Sequence, residues 1–413
     1  MRRRLSRFLA ACLLLACQHA GAQQIRFWTM QLSPFHDEYV LGVIRAFETA
    51  HPGVRVVWTD VPWAEMERKT LAAVAAGTAP DVVNLNPQFA AKLAEFGALA
   101  DPTAYLAPAE IAAYLPAAWR ANRLEGKTFA LPWYLNTNII LYNRDLLARA
   151  GAALPSDLTA LVASARRVHQ ATGGYAYFPA LDASTPLEFL VADGNRLLDA
   201  KGCGPGFLDA GGARVLGAYR TLYREGLVPK NVVTEGHRKA VEMFLSGQVA
   251  MVSTGMQFLG YIKNTNPAIY GRIGVAGQLR APGHPAGIAA MNVAVLERSP
   301  AKRAAFDFAR FLTNAENQVA LARRVPVLPS TTASYDDPFF SSDLGDPLLE
   351  QARDLSVRQA LHGAVLVPPV RKYSKLRVSY ARALQSVMLG KLGVEDALQT
   401  VGREWRAVLG CGA

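Results

Sequence analysis

Near the start of the chain three short apolar runs alternate with two amphipathic segments, and this alternation restricts the fold more than any other feature. Gln24 to Trp28 and Val54 to Asp60 alternate or are β-branched, and Pro80-Asp81 leads into Val82, Val83 and Leu85, so each run has strand character. Between them Val40, Val43, Ile44 and Phe47 recur at i, i+3, i+4, i+7. Trp63, Met66, Thr70 and Val74 repeat that face before Gly77, which predicts two helices. A β-α-β-α-β order builds a mainly parallel sheet with helices on its faces. Right-handed crossovers then carry the strand ends to one edge, where open α/β sheets bind ligands.

A chain of 413 residues exceeds the ~250–300 that one core usually serves, so two domains or one large one are expected. A second mixed region runs from about Ile139 to Val275, followed by a strand candidate at Ala289 to Leu296. A helix then carries Ala305, Phe308, Ala309 and Leu312 on one face. The last helix keeps Val394, Ala397, Leu398, Val401, Trp405 and Val408 on one stripe. Hydrophobic residues at 51% and charged residues at 19% exclude disorder, collagen and coiled coil.

Residues 1 to 22 have a basic start, an apolar run from Phe8 to Ala16 and the small-residue stop Ala20-Gly21-Ala22, the pattern of a secretory signal peptide. The mature chain then begins at Gln23. A competing reading takes Leu14-Leu15-Ala16-Cys17 as a lipobox-like stretch with Cys17 acylated, the one route by which a membrane enters. The first run is too short to span a bilayer, and no later segment supplies about 18 uninterrupted apolar residues. Periplasmic or extracellular location follows. Removing Arg2, Arg3, Arg4 and Arg7 lowers the formal charge from +11 to +7. The remaining basic residues occur at most in pairs among acids, so no nucleic-acid partner is expected. Cys203 and Cys411, in an oxidising compartment, are either joined or two free small residues.

Tests for chemistry are mostly negative. Gly126-Lys127-Thr128 resembles the end of a phosphate-binding loop, yet Ala121 stands where its first glycine belongs and a strand follows instead of a helix. Gly202-Cys203-Gly204-Pro205-Gly206 lacks the spacing of a dinucleotide turn. The mature chain's histidines form no i, i+4 zinc pair, and no Gly-x-Ser-x-Gly elbow occurs. No cofactor or metal is implied. Paired carboxylates for glycosidic cleavage cannot be picked out among 33 acids, so a secreted glycoside hydrolase stands as an alternative to a binding protein.

The stretch GKTFALPWYLNTNIILYNRDLLARAG, Gly126 to Gly151, resembles the hinge-region signature of family 1 extracellular solute-binding proteins of ABC importers. VEMFLSGQVAMVSTGMQFLGYI (Val241 to Ile262), AKRAAFDFARFLTNAENQ (Ala301 to Gln318) and RVPVLPSTTASY (Arg324 to Tyr335) are similar to later blocks of that family, in its order, and so is the tail from Leu389. One departure is Ala286-Gly287-Ile288-Ala289, which stands where many members have paired glycines.

The resemblance implies a two-lobed α/β fold of the periplasmic-binding-protein type II, each lobe a mainly parallel sheet flanked by helices, with the ligand cleft between lobes. Residues 24–133 and 281–328 would form the first lobe, and 137–277 and 333–413 the second. Segments 134–136, 278–280 and 329–332 would be the hinge crossovers. Cys203 and Cys411 then share a lobe, which favours their pairing. A monomer delivering solute to an ABC importer's membrane permease is implied, with no catalytic role.

A sugar presents an apolar C–H face and a ring of hydroxyls, so its site needs aromatic platforms and side chains that both donate and accept. Trp28 and Gln31 close the first strand, Asn84, Asn86 and Gln88 follow the third, and Trp133, Tyr134, Asn136 and Asn138 occupy the first crossover. Trp63 opens a helix, Gln257 and Phe258 lie in the second block, and Asn292 in the third segment. These are the expected ligand contacts. For Asn84 and Asn86 the competing role is capping, and for the tryptophans it is core packing. Asp193 and Glu188 are read as surface, and Trp58, Trp119 and Trp405 as structural. A neutral mono- or oligosaccharide fits these residue types best; a polyol, a polyamine or another small polar solute stays open.

Overall fold

The computed structural model describes residues 23–181 and 185–410. Strands β1 (Gln23–Met30), β2 (Val54–Val61) and β3 (Val82–Leu85) pair in parallel in the order β2-β1-β3. The helices Asp37–Ala50 and Trp63–Ala76 connect them. Further along come the hairpin β4 (Arg123–Leu124) and β5 (Lys127–Thr128), the long β6 (Leu131–Asn143), β7 (Tyr175–Tyr177) and β8 (Val249–Gly255). Then follow β9 (Ile273–Ala276), β10 (Ile288–Val295) and β11 (Leu328–Pro329).

The first helix buries the expected Val40, Val43, Ile44 and Phe47, with Tyr39 beside them. Phe27 of β1, Phe47 of this helix and Phe308 of the helix Lys302–Leu312 meet edge to face, Phe308 lying 5.1 Å from each of the others. Such pairs add ~0.5–1.5 kcal/mol beyond the area they bury. The second helix departs from the expected stripe: Met66, Thr70 and Ala73 are buried while Trp63 is half exposed. Gly77 ends it in the left-handed conformation, its N–H returning to Ala73 and Val74 carbonyls.

Strand β10 enters the first sheet between β3 and β6, antiparallel to both. Running direction is therefore shared by β1, β2, β3 and β6 and opposed by β10 and β11. Successive residues of the central strands face opposite layers: Val82, Val293 and Val295 enter the cluster with Phe27 and Phe308, whereas Val83, Leu85 and Ala294 enter the one with Phe89 and Leu93. Helices cover both faces, so β3 is buried along its whole length.

The feature that positions the site is β6. Its first half, to Thr137, pairs with β10 and β11; from Asn138 onward it pairs with β8 and β9. One strand thus passes from the first sheet into a second, where β7, β8 and β9 run together and β6 opposes them. A separate core serves that second sheet, built on Ile139 to Leu141 and Val249 to Val252 and closed by the helices Ala210–Arg224, Tyr373–Met388 and Val394–Leu409.

Side-chain amides tie the crossing segments together. Gln278 donates through Nε2 to Thr137 Oγ1 and Gly287 O and accepts the Gly287 N–H, all at 2.8 Å. Gln359 donates to Thr137 Oγ1 at 3.0 Å and Asn138 O at 2.8 Å. At the last crossing Gln318 accepts the Ser330 N–H at 2.6 Å, and Ser330 Oγ donates to Pro132 O at 2.7 Å. Backbone groups interrupted where sheets part need partners, and these amides supply donor and acceptor at once.

Cys203 is disulfide-bonded. Its expected partner, Cys411, lies outside the described residues, as do the expected signal peptide, residues 1–22, and Cys17.

Candidate functional site

Where β6 changes partners the two sheets leave a cavity of about 380 Å³, within the ~300–1,000 Å³ of small-molecule sites. Asn136, Thr137 and Asn138 of β6 form its floor, and the end of β8 and the start of β10 flank them. From the first-lobe side comes Gln88, in the first turn of the helix Pro87–Glu95. That helix begins where it does because the Asn86 side chain accepts the Phe89 N–H at 2.8 Å and Pro87, lacking an N–H, needs no acceptor. From the other side come Tyr177, which ends β7, and Phe178 after it, with Glu188 and Phe189 on the helix Thr185–Ala192.

Gln257 and Phe258 close the cavity beyond β8. The Gln257 amide lies over Gly255, where a Cβ would overlap it; glycine here gives room for the amide rather than a special backbone angle. Phe258 packs edge-on against His237 at 5.0 Å, and the His237 ring nitrogen Nε2 sits 3.0 Å from Thr254 Oγ1. Burial, opposed by a hydrogen bond with Ser253, pushes the Tyr177 hydroxyl well above its ordinary range, so it stays a neutral donor and acceptor. Among the described residues no group of three or more His, Cys, Asp or Glu is placed to hold a metal ion.

The structure brings five expected residues to this cavity: Gln88, Asn136, Asn138, Gln257 and Phe258. It places the others elsewhere. Trp133 is fully buried in the first-lobe core, edge-on to Tyr134 at 5.3 Å, because along a strand it faces away from Asn136 and Asn138. Asn84 and Asn292 are interior as well: Asn84 donates to Asn292 O at 3.1 Å and accepts the Met30 N–H at 3.4 Å, finishing the strand ends. Asn86 is the cap just described. Trp28 and Tyr134 are half-buried against the first-lobe clusters. Trp63 and Gln31 are exposed at the strand ends, the Trp63 N–H donating to Gln31 Oε1 at 3.3 Å, outside the cavity lining.

One further reading is corrected. Glu188, taken as surface, lines the cavity, and Asp193 is buried and paired with Arg214 at 2.7 Å. The rejection of a phosphate loop at Gly126 agrees with the structure, which has a tight hairpin there: Glu125 and Gly126 both have positive φ, 49° and 85°, the geometry of a two-residue turn. Tyr177, Phe178, Phe189, His237 and Gln278 were not anticipated. Tyr177 lies in a three-residue strand and Phe178 just after it, too short for any alternation to show.

Two sheets with separate cores, joined by a shared crossing strand over a solute-sized cavity, define a two-lobed binding protein. Residues 35–319 match the bacterial extracellular solute-binding protein family, and the chain belongs to that family, as a solute-binding protein of ABC transporters. It is similar to a Synechococcus sp. MITs9220 protein provisionally described as an oligosaccharide periplasmic-binding protein, at 36% identity and TM-score 0.86, covering 94% of this chain and 99% of that one. The sugar-binding protein MalE of Xanthomonas citri shares the fold, with 23% identity, TM-score 0.79 and coverage of 94% and 98%. A Deinococcus radiodurans protein provisionally described as an ABC transporter-binding protein is 24% identical over 76% of this chain and 77% of its own length.

Proposed function

We propose that the chain is an exported receptor that captures a neutral mono- or oligosaccharide in this cleft by lobe closure and delivers it to an ABC-type membrane permease. The lining of the cavity carries the reading. The half-buried rings of Phe189 and Phe258, backed by the buried Tyr177 and Phe178, stand beside the neutral amides Gln88, Asn136, Asn138 and Gln257, and neither Arg nor Lys is among the described lining residues. Rings supply platforms for the C–H face of a sugar, and amides both donate to and accept from hydroxyls. A phosphate or carboxylate solute would call for Arg or Lys. The oligosaccharide description of the Synechococcus relative supports the same reading.

Hydrolysis by paired carboxylates needs two acids flanking one bond; Glu188 is the one carboxylate among the described lining residues, which favours binding over turnover. Closure is driven by contacts the solute makes only in the closed form. We assign the lobes to 24–133 with 281–328 and 137–277 with 333–413, the crossovers to 134–136, 278–280 and 329–332, and a monomeric state. Export through residues 1–22 is part of the proposal, with cleavage after Ala22 favoured over acylation at Cys17. A Cys203–Cys411 disulfide is proposed on one contact: the Gly204 turn lies against Arg406, near the end of the last helix.

The test is a thermal-shift panel on the chain from Gln23 against mono- and oligosaccharides, polyols, polyamines and sugar phosphates. A neutral sugar at 100 times its Kd adds ~2.7 kcal/mol of stability, and Asn136→Ala or Gln257→Ala should abolish the shift. A response to polyamines or phosphates alone would overturn the reading.

A further inference from the structure

Segment 364–372 links the helix Pro347–His362 to the helix Tyr373–Met388 and forms no helix or strand of its own. At its root it is stitched to the last stretch before β10: the Ala364 N–H donates to Ala286 O and the Ile288 N–H to Ala364 O, both at 2.9 Å. Next, Val365, Leu366 and Val367 form one wall of the ligand cavity. Pro368 and Pro369 then border a small side pocket against Pro87, Ala91 and Asn122 of the first lobe. At its far end the Arg371 guanidinium lies 3.2 Å from Glu125 Oε1 and 3.9 Å from Glu95 Oε1, and the Lys372 N–H donates to Glu95 Oε2 at 3.0 Å.

These contacts cross between the lobes. Glu95 ends the helix that presents Gln88 to the cavity, and Glu125 sits at the tip of the β4–β5 hairpin; Phe89, Leu93 and Leu124 of the same elements pack in the first-lobe core. Leu376 and Tyr380, just past Lys372, pack in the second-lobe core. Left-handed backbone without glycine occurs at Glu125, φ 49°, and at Lys372, next to Arg371, φ 54°. Such backbone persists where surrounding contacts hold it and clusters at sites that clamp or switch.

We propose that Arg371 is a positioning residue for solute capture: its ion pairs with Glu125 and Glu95 clasp the strap 364–372 across the cleft and set where the wall Val365 to Val367 stands. This rests on the reading that the cavity holds the solute. The geometry fits a reversible clasp. Arg371 and Glu125 are more than half exposed, so their attraction is weak and screened by salt, whereas Glu95 is largely covered and fixed by the Lys372 N–H.

Hydrogen exchange of the mature, ligand-free chain tests it. In Arg371→Gln the amides of 364–373 should exchange about three- to fivefold faster, the scale of an exposed ion-pair network. Wild type in 0.5 M salt should approach the same rate, Arg371→Lys should stay near wild type, and β8 should not change. Unaltered strap exchange in Arg371→Gln, or an increase shared equally by β8, overturns the clasp. A neutral sugar found by the panel should leave Arg371→Gln faster by the same factor. A ligand that leaves no faster, or a panel without any ligand beside the expected strap exchange, overturns the capture role; the second result also marks the sugar reading as the one that failed.

Discussion

Replacing Trp133 by alanine should cost stability and leave affinity nearly untouched, the reverse of what a ligand platform predicts. The indole is fully buried in the cluster that holds Ile25, Phe27 and Phe308. Truncating such an aromatic costs ~3–5 kcal/mol, the spread depending on how far neighbours collapse into the space. Unfolding entropy near ~2.1 cal/mol/K per residue gives about 0.8 kcal/mol/K for the whole chain unfolding cooperatively. The midpoint should therefore fall by about 4–6 °C, and by more if the first lobe unfolds alone. Trp133→Phe, which keeps most of the volume, should lose less than half as much. Scanning calorimetry reads the midpoint, and titration of a bound sugar should give a Kd within about threefold of wild type. A midpoint shift under 1 °C together with lost binding would refute the core assignment and restore Trp133 to the cleft.

Other expectations follow from the same geometry. Gly255→Ala should fold normally, because the overlap is with a flexible amide, yet weaken sugar binding by displacing Gln257; equal affinity in titration would remove Gln257 from the site. Gln278→Leu deletes three hydrogen bonds at the crossing, each worth ~0.5–1.5 kcal/mol net, so the midpoint should drop by ~2–5 °C and exchange at Gly287 should rise. Unchanged exchange there would argue against a role for this amide in holding the lobes together. The Asp199 carboxylate accepts N–H groups from Cys203 above all, and from Lys201, which holds its pKa below the usual range. A depressed folded-state pKa contributes stability above the unfolded value that is lost as pH falls through the folded one. Exchange in 199–206 should therefore increase below the ordinary carboxylate range, and Asp199→Asn should abolish that pH dependence. Cys203→Ser should lower the midpoint without changing sugar affinity, measured by calorimetry in parallel with reduced wild type.

Much of the first lobe was legible because its signals are local. The stripe Val40, Val43, Ile44, Phe47 and the order of strands around it needed only periodicity, and the resemblance from Gly126 to Gly151 located the strand that crosses between lobes. Side-chain direction along that strand is legible in the sequence too: Tyr134, Asn136 and Asn138 share one face, and Trp133 shares the other with Leu135. A period of two already sets the indole against the amides. What no local signal carried is the second-lobe half of the cavity. Glu188 lies on a short helix that is apolar nearly all round, so its one acid looked like surface. Tyr177 and Phe178 line one cavity with Phe258 because β7 pairs with β8, a contact between residues far apart in sequence. Asn86 took its competing role as a cap, and Asn84 instead bonds the backbone of Met30 and Asn292, because backbone groups must be satisfied before any ligand arrives.

The most direct test of a neutral-sugar receptor is isothermal titration of the chain from Gln23 with a series of neutral oligosaccharides, followed by recovery of the bound solute. Saturable one-to-one binding, with a negative heat-capacity change from apolar burial and the sugar returned intact, is the predicted result. Heat only from charged solutes, or a sugar returned cleaved, would contradict the account.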